Sequence, residues 1–104
     1  MEIKSCATII NLNPSMRPAL IGCQKVFDKH NTDFVITCGL DSTHSAGSLH
    51  YYGFAIDVRT RDLGDKLQDC YQDLLDELTG FDVVLESNHF HIENEIAFKE
   101  QWCK

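Results

Sequence analysis

The chain contains no run of about eighteen apolar residues, which excludes a membrane-spanning helix. Its opening residues, Met1-Glu2-Ile3-Lys4-Ser5-Cys6, lack the apolar segment and small-residue cleavage site of a secretory signal. Export by the general secretory route is therefore not expected, and a cytoplasmic location is. Positive charge is scarce: 9 Lys and Arg stand against 16 Asp and Glu, a formal net charge of −7. That balance argues against nucleic acid as a partner, because phosphate binding needs clustered Lys and Arg. Cys-x-x-Cys spacing is absent, and the 5 cysteines, at 6, 23, 38, 70 and 103, are odd in number. Neither a disulfide framework nor a cysteine-built zinc site fits such a set, so reduced thiols, partly buried, are expected. Repeats, linkers and low-complexity stretches are also missing. The 104 residues, 43% of them apolar, suit one domain with one core.

What is present reads as a mixture of strands and helices. Residues 5–12 suggest a short strand. Asn13-Pro14-Ser15 reads as a helix start, with proline where its missing N–H costs little, and the helix is expected to run to about His30. Leu20, Cys23 or Gln24, and Phe27 would share its buried face, and His30 is expected on the surface near its end. Asp33–Cys38 is strand-like by composition and ends at Gly39. Phe54, Ile56 and Val58 alternate with Ala55, Asp57 and Arg59, the period of a strand whose apolar trio faces a core. The spacing of Leu63, Leu67, Cys70, Tyr71, Leu74 and Leu78 predicts a helix over 62–79, stopped at Gly80. Its charged side reads as a solvated face. Phe81–Glu86 and His89–Ile92 read as two strands joined by Ser87-Asn88. A two-residue turn there sets Glu86 opposite His89 and turns His91 to the same face. A short terminal helix over 95–104 is expected to dock through Ile96 and Trp102.

The densest chemistry lies in Ser48-Leu49-His50-Tyr51-Tyr52-Gly53-Phe54-Ala55-Ile56-Asp57. Zinc accepts imidazole nitrogen and carboxylate oxygen, and a catalytic site takes three protein ligands and keeps one position open. His50 and Asp57 offer two ligands. The third is expected from Glu86-Ser87-Asn88-His89-Phe90-His91-Ile92-Glu93.

Together these segments resemble the zinc peptidases of bacterial cell walls. That group includes the D-alanyl-D-alanine carboxypeptidases, the L-alanyl-D-glutamate endopeptidases of phage endolysins, and the hedgehog signalling domain. The pattern Ser-x-His-x-x-Gly-x-Ala-x-Asp is matched at Ser48, His50, Gly53, Ala55 and Asp57, and a His-x-His follows at His89 and His91. The resemblance runs from about Phe34 to Glu93. It implies an α+β fold with a small antiparallel sheet and flanking helices, carrying one zinc ion per chain on His50, Asp57 and His91. Glu86 resembles the catalytic glutamate that members carry shortly before the last ligand, and His89 would hydrogen-bond substrate. Members with Glu-x-x-His-Phe use the earlier histidine instead, and Glu86-Ser87-Asn88-His89-Phe90 matches that pattern too. The complete His-x-His favours His91, while His89 stays open as the ligand.

The implied activity is hydrolysis of an amide bond in peptidoglycan stem peptides, by a protein released onto the wall in a phage or prophage setting. The expected partner is that peptide, with no nucleic acid or membrane, and the expected state is a monomer. Carboxypeptidase members place an arginine in the loop before Ser-x-His to grip a terminal carboxylate. Here that loop, Gly39-Leu40-Asp41-Ser42-Thr43-His44-Ser45, has none. Arg59, two residues after Asp57, is the candidate substitute, and His44 and Ser48 are further candidates for substrate contact. Endopeptidase and carboxypeptidase action both stay open. The alternative is a catalytically inactive zinc-binding module, or a phage structural protein, of the same fold.

Overall fold

The computed structural model describes residues 1–4, 12–38 and 53–102, without the side chains of Cys38 and Trp102. Among the described residues five strands form one mixed sheet: β1 (Glu2–Ile3), β2 (Val35–Cys38), β3 (Ala55–Arg59), β4 (Asp82–Leu85) and β5 (His89–Glu93), in the order β1-β2-β3-β5-β4. The fold is α+β, but the sheet is not purely antiparallel. β1 runs parallel to β2, pairing Glu2 with Val35 and Ile3 with Ile36, whereas β2–β3, β3–β5 and β4–β5 are antiparallel. The expected strand at 5–12 falls almost wholly outside the described residues, and β1 precedes it. Two residues carry no readable period, so β1 left no signal in the sequence.

Asn13 starts the first helical segment as expected: the Ser15 N–H donates to its Oδ1 at 2.9 Å, and Pro14 opens a single 3₁₀ turn, Pro14–Met16. The chain continues as α1 (Arg17–Lys29), which buries Ala19, Cys23, Val26 and Phe27, with Leu20 only partly covered. A 3₁₀ turn over Gly64–Lys66 leads into α2 (Leu67–Glu77), and Gly80 follows with φ of 92°, the left-handed backbone expected of a helix stop. Gly22 lets the two helices approach, since a Cβ there would lie 2.5 Å from Leu78 Cδ2. A tether sits alongside. His30 is not the surface residue expected: its Nε2 lies 2.7 Å from Asp73 Oδ2, and Lys29 Nζ donates to the same oxygen at 3.0 Å. These contacts hold the Asp73 carboxyl below the usual carboxylate range, Lys29 contributing most and His30 next. The polar side of α2 is therefore partly a docking edge for α1.

One face of the sheet meets both helices. Ile36, Ile56, Val58, Phe90 and Ile92 are fully buried there against Met16, Cys23, Phe27, Cys70 and Leu74. Phe90 packs edge-on to Phe27 and stacks on Tyr71 with ring centroids 5.9 Å apart. Burial pushes the Cys70 thiol up to about 12 and the Cys23 thiol higher still, so both are inert packing groups and both are free. α3 (Glu95–Trp102) docks differently from the expectation: Ile96 is 60% exposed, and Phe98 meets Phe54 edge-on instead. Among the described residues no helix is long and apolar enough to cross a membrane.

Candidate metal centre

Period two decides what lies on the other face. Along β5 the buried Phe90 and Ile92 alternate with His89, His91 and Glu93, so all three polar side chains project away from the helices. Along β3 the buried Ile56 and Val58 do the same for Asp57 and Arg59. The antiparallel register sets Asp57 directly across from His91 and Arg59 across from His89. The β4–β5 hairpin then adds Glu86: its N–H donates to the His89 carbonyl at 2.9 Å, closing the turn over Ser87-Asn88. Glu86, His89 and His91 thus share one hairpin, with Asp57 on the neighbouring strand.

His91 is the centre of this cluster. Its Nδ1 lies 3.0 Å from Asp57 Oδ1, and its Nε2 lies 3.2 Å from Glu93 Oε1. An ionised carboxylate only accepts hydrogen bonds, so the arrangement favours a proton on each ring nitrogen. The His91 pKa is accordingly raised, first by the hydrogen bond to Asp57, then by the Asp57 and Glu93 charges, with desolvation opposing them. His89 sits further out. Its Nε2 is 3.7 Å from both Asp57 Oδ1 and Glu86 Oε2, and its Nδ1 is 2.7 Å from Asn88 Oδ1. Glu86 is the most open member, with its side chain 49% exposed, whereas that of Asp57 is 14% exposed.

The donor types and spacing fit a zinc ligand pair. Two donors at about 2.1 Å from one ion in tetrahedral array lie about 3.4 Å apart. Asp57 Oδ1 and His91 Nδ1, at 3.0 Å, need to separate by only a few tenths of an ångström. The Glu93 carboxylate on the far nitrogen matches the partner that metal-bound histidines carry, which fixes the ring and raises its basicity. His89 Nε2 is at an equally compatible 3.7 Å from Asp57, but its far nitrogen meets a neutral amide. Among the described residues no three His, Cys, Asp or Glu side chains form a group able to hold a metal. His50, the remaining expected ligand, lies outside the described residues, as do Ser48 and His44.

Arg59 is not free to act alone: its Nε donates to Asp62 Oδ2 at 2.8 Å. It lines a cleft beside His89 all the same. The partnership of Glu93 with His91 is the contact that spacing alone left unstated. Its signal is the parity of His91-Ile92-Glu93, which sets both polar groups on one face of a strand. No family model, no curated protein and no solved structure matches the chain.

Proposed function

We propose that the chain is a zinc metallopeptidase that hydrolyses an amide bond in peptidoglycan stem peptides, as an endopeptidase or a carboxypeptidase. One observation carries the reading: Asp57, Glu86, His89, His91 and Glu93 gather on the sheet face opposite the core, in the types a hydrolytic zinc site uses. Asp57 and His91 would hold the ion together with His50, one zinc per chain. Bound there, zinc would supply a Lewis acid that polarises the scissile carbonyl and lowers the pKa of water.

The remaining steps belong to side chains. Glu86 accepts a proton from water at Oε2 and returns it to the departing amine, and its exposure leaves it room to turn between the two. His89, whose Nε2 side faces the cluster, would hydrogen-bond the carbonyl oxygen as negative charge develops. Glu93 holds His91 in position through Nε2. A phage or prophage protein that meets the wall after release is the setting this activity suits.

The test begins with metal. Protein purified without added metal is expected to hold about one zinc per chain, by the three-ligand logic of catalytic sites. His50→Ala and Asp57→Ala are expected to lose it. Glu86→Gln should keep zinc and fold while release of new amino termini from purified peptidoglycan falls by about two to four orders of magnitude. If the two ligand variants bind zinc as the parent does, the site is misassigned. A parent that holds zinc yet cleaves no peptidoglycan from several bacterial types would favour the non-hydrolytic zinc module.

A further inference from the structure

At the outer end of the cluster, two carboxylates face one imidazole nitrogen. His89 Nε2 lies 3.7 Å from Glu86 Oε2 and 3.7 Å from Asp57 Oδ1. The other nitrogen, Nδ1, lies 2.7 Å from Asn88 Oδ1, an amide oxygen that only accepts, so this contact places a proton on Nδ1. In the neutral ring that leaves a lone pair on Nε2, turned towards two anionic oxygens. Three electron-pair donors facing one another repel until a cation lies among them. A proton can fill that place, and so can a divalent metal.

The spacing suits the metal. Donors about 2.1 Å from one ion stand about 3.4 Å apart at the tetrahedral angle. Glu86 Oε2 and His89 Nε2, at 3.7 Å, need to close by only a few tenths of an ångström. Their backbones are fixed by the hairpin, where the Glu86 N–H donates to the His89 carbonyl at 2.9 Å, and the exposed Glu86 side chain has room for the adjustment. Arg59 stands directly across from His89, but its charge is answered by Asp62, to which its Nε donates at 2.8 Å. Imidazole nitrogen with carboxylate oxygen is a donor set that zinc and its divalent neighbours accept. Two protein ligands, with water completing the shell, hold an ion less tightly than three.

We propose that Glu86 and His89 form a second, weaker site for a divalent transition metal, zinc above all, in addition to the ion assigned to Asp57 and His91. Asp57 Oδ1 stands between the two places, 3.0 Å from His91 Nδ1 and 3.7 Å from His89 Nε2, and its charge favours a cation at either. The site itself rests on this geometry. Its consequence rests on the peptidase reading, in which Glu86 carries the proton and His89 meets the carbonyl oxygen. A metal on Oε2 and Nε2 occupies both working atoms, so zinc beyond the first equivalent inhibits. Hydrolysis then peaks at one equivalent of zinc and declines above it.

The test is a zinc titration of the metal-free full chain, followed by calorimetry and by the nitrogen resonances of the imidazole rings. Thiols also take up zinc, so the ring nitrogens supply the site-specific readout. The His91 Nδ1 resonance is expected to shift with the first equivalent and that of His89 Nε2 with the second. Glu86→Gln and His89→Gln should each keep the first equivalent and bind the second at least about tenfold more weakly. Both side chains lie on the sheet face away from the core, so the fold should tolerate the changes, as circular dichroism will verify. A second equivalent that leaves His89 Nε2 unmoved, or that binds both variants as it binds the parent, is held elsewhere and overturns the proposal. A His89 shift with the first equivalent overturns it too, because the single zinc is then on that ring. Peptidoglycan cleavage is scored separately across the same zinc range. Cleavage undiminished after the His89 shift is complete overturns the inhibition, whereas a parent that cleaves nothing at any zinc level counts against the peptidase reading and leaves the ring nitrogens to decide the site.

Discussion

Glu93 provides a way to find the metal-binding histidine without touching either histidine. Its Oε1 lies 3.2 Å from His91 Nε2, and the counterpart for His89 is Asn88, whose Oδ1 lies 2.7 Å from Nδ1. Each neighbour orients one ring and only one. If His91 carries the metal through Nδ1, Glu93→Ala frees the ring to rotate and removes the charge that raises its basicity. Outer partners of this kind are worth about 10- to 100-fold in metal affinity, or about 1.4–2.8 kcal/mol. Glu93→Gln keeps an oxygen that accepts the same N–H and loses only the charge, so it should fall between parent and alanine variant. Asn88→Ala should leave affinity within about twofold, the change expected of a group that touches no ligand. Zinc affinity is read by competition with a chromophoric chelator at fixed pH. The His91 nitrogen resonances report the tautomer independently of any catalysis. The reverse pattern, with Asn88→Ala weakening zinc and Glu93→Ala sparing it, refutes the argument and moves the metal to His89.

Three further outcomes follow from the same geometry. In the metal-free chain the raised His91 pKa means that the folded state holds this proton more tightly than the unfolded state, whose value is about 6.5. Its contribution to stability is fully present below that unfolded value and disappears as pH rises through the folded value. Urea unfolding of metal-free protein across this window should follow that sign and flatten in His91→Gln. Zinc must displace the same proton, so its affinity should drop as pH falls below the raised value. Phe90→Ala removes a fully buried ring between the two histidines and should cost about 3–5 kcal/mol in chemical denaturation. A loss below about 1 kcal/mol would mean the surrounding core collapses around the gap.

The parts of this arrangement that could be read from sequence were those set by period two and by a short turn. Asp57 and Arg59 fall between Ile56 and Val58, and His89, His91 and Glu93 bracket Phe90 and Ile92, so each face is fixed by its buried neighbours. Ser87-Asn88 was enough to bring Glu86 against His89. Contacts that depend on tertiary placement left no local mark. His30 bonds Asp73 across 43 positions, Lys4 beyond edge strand β1 and Arg61 beyond central strand β3 line one cleft, and Phe98 rather than Ile96 reaches the domain. Ile96 stands at the apolar position of a helix of only 8 residues, too short for its periodicity to choose a face. The N-terminal edge escaped notice for a similar reason, since parallel pairing of two residues needs a partner strand some thirty positions away to exist at all.

The five residues of β5 leave nothing to vary independently. Every second residue is committed to the core and every other one to the polar cluster, so the strand has no spare position at which an insertion could be absorbed. A one-residue deletion between His89 and Glu93 would exchange the two sets, pressing imidazoles into the helices and turning aromatic and aliphatic groups outward. Foldability and chemistry are therefore written in the same five letters. Variants of this chain that retain a folded sheet should also retain the spatial order of the cluster, even where its individual side chains have been replaced. The walls of the neighbouring cleft are under no such constraint, since Lys4, Thr37 and Arg61 stand outside β5.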